Sequence, residues 1–395
     1  MDLFLSKLGK IRNILKRNGW RLGSKVIAGY FMIFLKSFLV KTGDVLYITQ
    51  GVGDSARYRT YHQAEELNLH GIKASITNQS NPFLLSLAKK FKLFIFHRTF
   101  VNEKLTSFIQ EIKKNQGEII FETDDLVYNP SFLHLMDYYK KMTSVEKKIY
   151  ENGIGAEIIN DPEVKYAVTS TTFLAKKLEE KSKKVFISTN KLSLEDLKWV
   201  ENIIKEPKET EDLEEIRLGY FSGTLSHNKD FATISEAIIK LLTKYPSLVL
   251  YIAGPLDLDE SLLPFKNRIK NFPFVPRKQY FENLYKIDIN LSPLEPNNPF
   301  CEAKSEIRFS EPGIVKIPTI AVRNQTFSES ITDGLNGFLA ETEEEWVEKI
   351  SRLIEDKNLR ITMGEKAREK VLKDFSTKNS HNEKYYDFLK NKIAK

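Results

Sequence analysis

The chain has 395 residues, of which 41% are apolar and 29% charged, with 14 Pro and 18 Gly. That composition excludes a disordered, collagen-like or low-complexity chain, and the length suits two or three domains that each bury a full core. One cysteine, Cys301, excludes a disulfide scaffold and a Cys-based zinc site, and six scattered His with no HExxH leave no metal motif.

The net charge of +7 is unevenly placed. Residues 1–41 hold nine Lys and Arg against one acid, Asp2, and so carry +8, while the other 354 residues sum to −1. A nucleic-acid binder would show a basic face on its folded domain; a basic N-terminus on a near-neutral body points to an anionic membrane surface. Phe4, Leu8, Ile11 and Leu15 recur at helical spacing among basic residues, and the apolar run 26–40 follows, 15 residues long and interrupted by Lys36. A span needs about 17–25 apolar residues, and no small-residue cleavage site follows. Residues 1–42 therefore read as a basic amphipathic helical segment lying in the bilayer interface. A helix packed on the first domain is the alternative.

From position 44, short apolar runs alternate with polar, helix-periodic stretches. Runs at 44–49, 72–77, 93–97, 118–123, 166–170 and 184–188 predict strands, with helices at 57–70, 103–115, 132–151 and 172–181. Such alternation implies a parallel sheet with helices on both faces. Residues 191–216 break the pattern. They are charged, hold Pro207, show no strand signal and read as a linker with a short helix. Strands then resume at 217–223, 248–254, 272–276, 287–293 and 317–322, with helices at 229–244, 277–286, 303–312, 343–355, 357–372 and 379–393. The expected fold is α/β: two Rossmann-like parallel-sheet domains, 43–190 and 217–378, facing a cleft across the 191–216 linker. The 379–395 helix is placed to cross back to the first domain.

Ligands of open parallel sheets bind beyond the carboxyl ends of strands. After the strand at 217–223, Ser222, Gly223 and Thr224 make a small-residue turn and Lys229 opens the next helix. N–H groups, a helix dipole and a Lys charge there suit phosphate, although an ordinary αβ turn reads the same way and GxxxxGK[ST] is absent. Farther on, a helix starting near 303 would carry Lys304, Arg308 and Glu311 on one face, a set able to hold a diphosphate and a sugar hydroxyl or simply to form a solvated charged face. Glu302 at its start also fits a cap. Cys301 has no His nearby and reads as incidental. Asp257 and Asp259, in an acidic loop, read as surface.

Several of these segments carry a family resemblance. KSEIRFSEPGIVKIPTIAV, then ITDGLNGFLAET, then EEWVEKISRLIEDKNLRITMGEKAREKV resemble, in order, the C-terminal half of glycosyltransferase family 4, the group 1 glycosyltransferases. LGYFSGTLSHNKDF resembles the first strand and loop of that family's donor domain. GVGDSARYRTYHQAEELNLHGI is similar to its first loop and helix, and IIFETDDLVYNP to a strand end in a bacterial polysaccharide branch. The resemblance spans residues 44–395 and implies a GT-B fold, a nucleotide sugar bound mainly to the second domain, retention at the anomeric carbon, and no metal or other cofactor.

Residue by residue, the resemblance implies that Lys229 binds the diphosphate, with Gly223, Thr224, Ser305 and Arg308 completing the donor site. It implies that Glu311, the second Glu of a Glu-x7-Glu motif, holds the ribose. The first Glu of that motif falls on Ala303; Glu302 lies one residue away, and either a local bulge corrects the register or Lys304 takes the role. The family's Arg upstream of Lys229 is absent, and Lys304 or Arg308 stands in for its charge. Asp124 and Asp125 fall where the acceptor and reacting centre are expected, so Asp124, Asp125, Glu302 and Lys304 are the catalytic candidates. The expected activity is a hexosyltransferase-like, metal-independent, retaining transfer. A sugar moves from a nucleotide-sugar donor to a glycan or lipid-linked acceptor in surface-polysaccharide or glycolipid synthesis. The enzyme is expected in the cytoplasm, peripheral to the inner membrane face through residues 1–41, with no nucleic-acid partner. A sugar-nucleotide epimerase and a silent GT-B binding or scaffold subunit are the alternatives.

Overall fold

Among the described residues, twelve short, mostly buried runs become strands, all of them in parallel pairs. The computed structural model describes residues 20, 23–25, 27–136, 139–140, 142–208, 215–222, 228–273 and 275–394. These divide into two units. Unit 1 comprises Met1–His134, Lys141–Ser193 and Thr377–Lys395; unit 2 comprises Leu135–Lys140 and Leu194–Ser376.

Unit 1 is built on β1 (Val45–Thr49), β2 (Ala74–Asn78), β3 (Leu93–His97), β4 (Glu118–Thr123), β5 (Tyr166–Thr169) and β6 (Lys184–Ile187), in the order β2-β1-β3-β4-β5-β6. Strands β1 and β3 are buried throughout, as strands covered on both faces must be. The helix Glu383–Ile393 belongs to this unit and sets Tyr385, Tyr386 and Leu389 among Val45, Tyr47, Leu93 and Ile95. Glu66, buried in the helix His62–Leu69, accepts hydrogen bonds from Ser380 Oγ at 2.6 Å and from the Tyr386 hydroxyl.

Unit 2 is built on β7 (Ile216–Phe221), β8 (Leu248–Ala253), β9 (Ile269–Phe272), β10 (Ile289–Ser292), β11 (Thr319–Val322) and β12 (Phe338–Ala340), ordered β12-β11-β10-β7-β8-β9. Both sheets are Rossmann-like, and together they make the GT-B architecture. The chain reverses direction across the sheet between β1 and β3 in unit 1 and between β7 and β10 in unit 2, and such switch points open a crevice at the carboxyl ends of the strands.

The structure corrects four element readings. The 132–151 helix is a 3₁₀ turn, Pro130–Leu135, and a separate helix, Ser144–Glu151, started by a Thr143–Glu146 capping box. The 229–244 helix is two pieces, Asn228–Ala232 and Ser235–Lys244. The 272–276 strand ends at Phe272, before Pro273, which has no N–H to give a ladder. The 303–312 helix is Ile307–Ile314, preceded by the short helix Pro299–Glu302. Lys304 and Ser305 lie in the turn between them, so Lys304 does not share a helix face with Arg308 and Glu311. Pro312 leaves the Arg308 carbonyl without its helical partner, and the Asn290 amide donates to it at 2.8 Å. Of the 1–42 segment, residues 1–19, 21, 22 and 26 lie outside the described residues; 27–36 is helical.

Leu389 is fully buried in the unit 1 core. Leu389→Ala is expected to cost about 2–5 kcal/mol in a denaturant titration, whereas Lys390→Ala, on the exposed side of the same helix, stays within about 0.5 kcal/mol.

Candidate active site

At the carboxyl edge of the unit 2 sheet, the helix Asn228–Ala232 meets the loop after β10. Lys229 sits on Asn228–Ala232, more than half exposed, with Nζ 3.6 Å from Glu295 Oε1. Its neighbour Asp230 is buried and joins three segments. Asp230 Oδ1 accepts from the Glu295 N–H at 3.0 Å and from Cys301 Sγ at 3.3 Å, while Arg308 Nη1 lies 3.9 Å from Oδ2. The Arg308 guanidinium lies 5.8 Å from the centre of the Tyr220 ring. Two cations thus flank two carboxylates, and the charges of Lys229 and Arg308 are balanced by Glu295 and Asp230. A bound diphosphate would compete with Glu295 for Lys229 and with Asp230 for Arg308. Asp230 and Glu295 were missed in the sequence, where only their contacts across the sheet distinguish them from other acids. Burial pushes the Cys301 thiol up, with Asp230 adding to it, so Cys301 stays a neutral donor.

Glu311 is buried and its two oxygens are engaged separately. Arg277 Nη1 donates to Oε1 at 2.8 Å and the Tyr280 hydroxyl to Oε2 at 2.7 Å. The rest of the Arg277 fork grips Asp196 on the helix Leu194–Ile203, through Nε at 2.6 Å and Nη2 at 2.9 Å. Arg277, Tyr280 and Asp196 carry no motif signal. Glu302 follows Cys301 on the short helix; burial raises its pKa. Gly223 and Thr224 lie outside the described residues.

In unit 1 the structure draws a chain of polar groups around Asp124. The Arg59 guanidinium, wholly buried, donates to Glu122 Oε1 at 2.6 Å; Glu122 Oε2 meets His97 Nδ1; His97 Nε2 lies 2.9 Å from Ser55 Oγ; and Ser55 Oγ donates to Asp124 Oδ2 at 2.9 Å. Ser55 has one hydroxyl proton, so while it donates to Asp124 it accepts from His97 Nε2. Arg98 ends the chain, with Nε donating to Asp124 Oδ1 at 2.6 Å and Nη2 reaching Asp125 Oδ2 at 3.5 Å. Arg98 does this from a left-handed backbone, φ 46°, a strained position for a non-glycine residue. Burial alone would raise the Asp124 pKa, but the charges of Arg98, His97 and Arg59 and the Ser55 hydroxyl hold it far below the usual carboxylate range. Asp124 is therefore a permanent anion that orients a hydroxyl and does not exchange a proton near neutrality. Asp125 Oδ1 accepts from the Leu126 N–H at 2.8 Å and caps the following turn. Ser55 and Arg59 lie on the helical turns after β1, His97 and Arg98 at the end of β3, and Glu122 in β4; these segments are far apart in the chain, which hid them from sequence reading.

Comparisons with known proteins bear on this arrangement. Residues 201–370 match the family model for glycosyl transferases group 1. The second unit is a group 1 glycosyltransferase domain, and the chain is a glycosyltransferase. Anabaena HepE, solved in complex with UDP, superimposes on this glycosyltransferase with a TM-score of 0.60 at 13% identity, over 88% of this chain and 100% of that one. A glycosyltransferase from Rickettsia africae gives a TM-score of 0.60 at 16% identity, over 89% and 99% of the two chains. S. aureus TarM gives 0.53 at 14% identity, over 80% of this chain and 57% of its own. At these identities the likeness is one of fold. No curated protein matches the sequence. Among the described residues no cluster of three or more His, Cys, Asp and Glu is placed to hold a metal ion, and no helix is long and apolar enough to cross a membrane.

Two outcomes follow from the buried charges. Arg277→Met leaves Asp196 and Glu311 facing each other in a buried site and is expected to cost about 3–5 kcal/mol in a denaturant titration; a loss under about 1 kcal/mol would mean that water screens the network. Asp124, held low in the fold, adds stability above its unfolded pKa of about 3.9 and loses it as pH falls toward the folded value. Asp124→Asn is therefore expected to flatten the fall in urea midpoint below about pH 4, and an unchanged acid slope would show that Arg98 does not hold the carboxylate.

Proposed function

We propose that this glycosyltransferase moves a sugar, with retention, from a nucleotide-sugar donor to a glycan or lipid-linked acceptor in bacterial surface-polysaccharide or glycolipid synthesis at the inner face of the membrane. The observation that carries the donor half is the pair of compensated cations, Lys229 and Arg308, at the β7–β10 switch point of the group 1 domain. A leaving nucleoside diphosphate gains negative charge in the transition state, and preorganised cations stabilise it there. In this reading the Lys229–Glu295 contact opens as the phosphates enter, Glu311 holds the ribose between Arg277 and Tyr280, and Glu302 and Lys304 lie on the sugar side with Ser305. Complexes of HepE with UDP and with UDP-glucose support a nucleotide-sugar donor, and the TarM complex with alpha-GlcNAc-glycerol and UDP supports the same donor class and a sugar-bearing acceptor.

The acceptor half rests on unit 1. Asp124, after β4, and Ser55, after β1, present a fixed anion and a hydroxyl beside the β1–β3 switch point, where an acceptor hydroxyl can be aligned. The retaining course and the polysaccharide role are supported by the family resemblance. The +8 charge of residues 1–41 supports attachment to an anionic leaflet.

A mass-spectrometric screen of nucleotide sugars, with transfer and donor hydrolysis as readouts, tests the reading. With the accepted donor, Lys229→Ala is expected to lower kcat by about 10²–10³, whereas Glu311→Gln chiefly raises the donor KM. An epimerised nucleotide sugar would identify an epimerase instead, and donor binding without turnover a silent binding subunit.

A further inference from the structure

The helix at 27–36 turns an apolar stripe outward. Ala28, Phe31, Met32 and Leu35 recur at i, i+3, i+4 and i+7, and Leu39 continues the line past the helix end; all five are exposed, Phe31 by 57% and Leu39 by 83%. Its other face, with Ile27, Tyr30, Ile33, Phe34 and Ser37, is half-buried or buried. A surface helix normally does the reverse, hiding its apolar side.

A second apolar element stands beside it. Phe83, 67% exposed, and Leu85 follow β2, and the loop that carries them is tied to the end of the helical segment. Thr77 Oγ1 donates to the Ser37 carbonyl at 3.1 Å, and the Asn81 amide reaches the Phe38 carbonyl at 3.5 Å. Leu39 and Phe83 therefore flank one junction. The charge around them is of one sign: 20–43 and 79–92 contain no acid, and Lys36, Lys41, Lys89 and Lys90 are exposed there. Lys89 alone of these four approaches a carboxylate, Glu111, at 3.4 Å. Large exposed side chains beside lysines, three of which have no carboxylate partner among the described residues, match a bilayer with anionic headgroups, whose interior takes the side chains and whose phosphates take the charge.

We propose that Phe31, Met32, Leu35 and Leu39, with Phe83 and Leu85, form a two-part wedge that inserts into an anionic lipid leaflet. The proposal rests on the membrane reading above and adds to it the inserting face and a contribution from the β2 loop. The wedge lies by the acceptor edge of the sheet. Tyr30, on the inner helix face, is half-buried; burial raises its hydroxyl's pKa, with Asp54, the neighbour of Ser55, adding to that and Arg57 opposing it. Gln79, at the base of the Phe83 loop, exchanges hydrogen bonds with Phe100 in the loop that carries Arg98. The wedge thus holds the carboxyl edge of unit 1 at the headgroup level, and the acceptor it favours is a glycan carried on a lipid.

The test is co-sedimentation of the full chain with phosphatidylcholine vesicles containing about one-third phosphatidylglycerol, at low and high salt. Phe31→Ser with Leu35→Ser, and separately Phe83→Ser with Leu85→Ser, are each expected to weaken vesicle partitioning by about ten-fold or more without lowering the melting temperature. Lys36→Gln with Lys90→Gln is expected to weaken binding at low salt only. If the parent binds and both serine pairs bind equally well, residues 1–19 suffice for attachment and the wedge is wrong while the membrane reading stands. If the parent does not bind, both fall. If the parent is a dimer by light scattering and the serine variants are monomers with unchanged vesicle binding, the face is a self-interface and the proposal is overturned.

Discussion

A carboxylate taken out of water must be met by cations or N–H groups, and the functional edges of both sheets are organised around that requirement. Asp230, Glu311 and Glu122 are buried, and none could remain ionised there alone. Asp230 is met by the Glu295 N–H and Arg308, Glu311 by Arg277 and Tyr280, Glu122 by Arg59 and His97. Each pairing joins segments that lie far apart in sequence. The loops at the strand ends are therefore cross-braced by charge, and disturbing one partner disturbs the loop.

This bracing has a chemical use. A site that handles a nucleoside diphosphate needs positive charge that costs little to reorient when the phosphates arrive. Lys229 stands more than half exposed against a single carboxylate, and a guest anion can take the place of Glu295. Glu311, by contrast, is buried and held from both sides by Arg277 and Tyr280. The exposed cation and the buried anion suit different parts of one ligand, the phosphates and a sugar hydroxyl.

Unit 1 applies the same constraint differently. Arg98 is held in a left-handed backbone so that one guanidinium can reach both Asp124 and Asp125. The result is an anion whose ionisation does not change near neutral pH, next to a serine hydroxyl whose orientation is set by the buried His97–Glu122 pair. Such a group directs hydrogen bonds without storing a proton. That fits the alignment of an acceptor hydroxyl better than its deprotonation.

Much of the architecture was legible in the chain. Alternation of apolar runs with helix-periodic stretches identified both parallel sheets, because a strand buried on both faces has to be apolar along its length. The spaced C-terminal motifs marked the group 1 domain, because their order survives where identity does not. The unequal charge of the first 41 residues needed only counting. Local helix geometry around position 303 was not legible: Pro299 opens one short helix, and the next begins at Ile307, with Asn290 filling the carbonyl that Pro312 leaves empty. Arg277, Asp196, Ser55, His97 and Glu122 could not be found either, since each gains its meaning from a partner on another strand end or helix. Sequence by itself determined the fold class and the group 1 domain of the second unit, which depend on periodicity and order along the chain. Only the tertiary structure decided which acids are buried and which cations meet them, because desolvation and pairing are properties of neighbours in space.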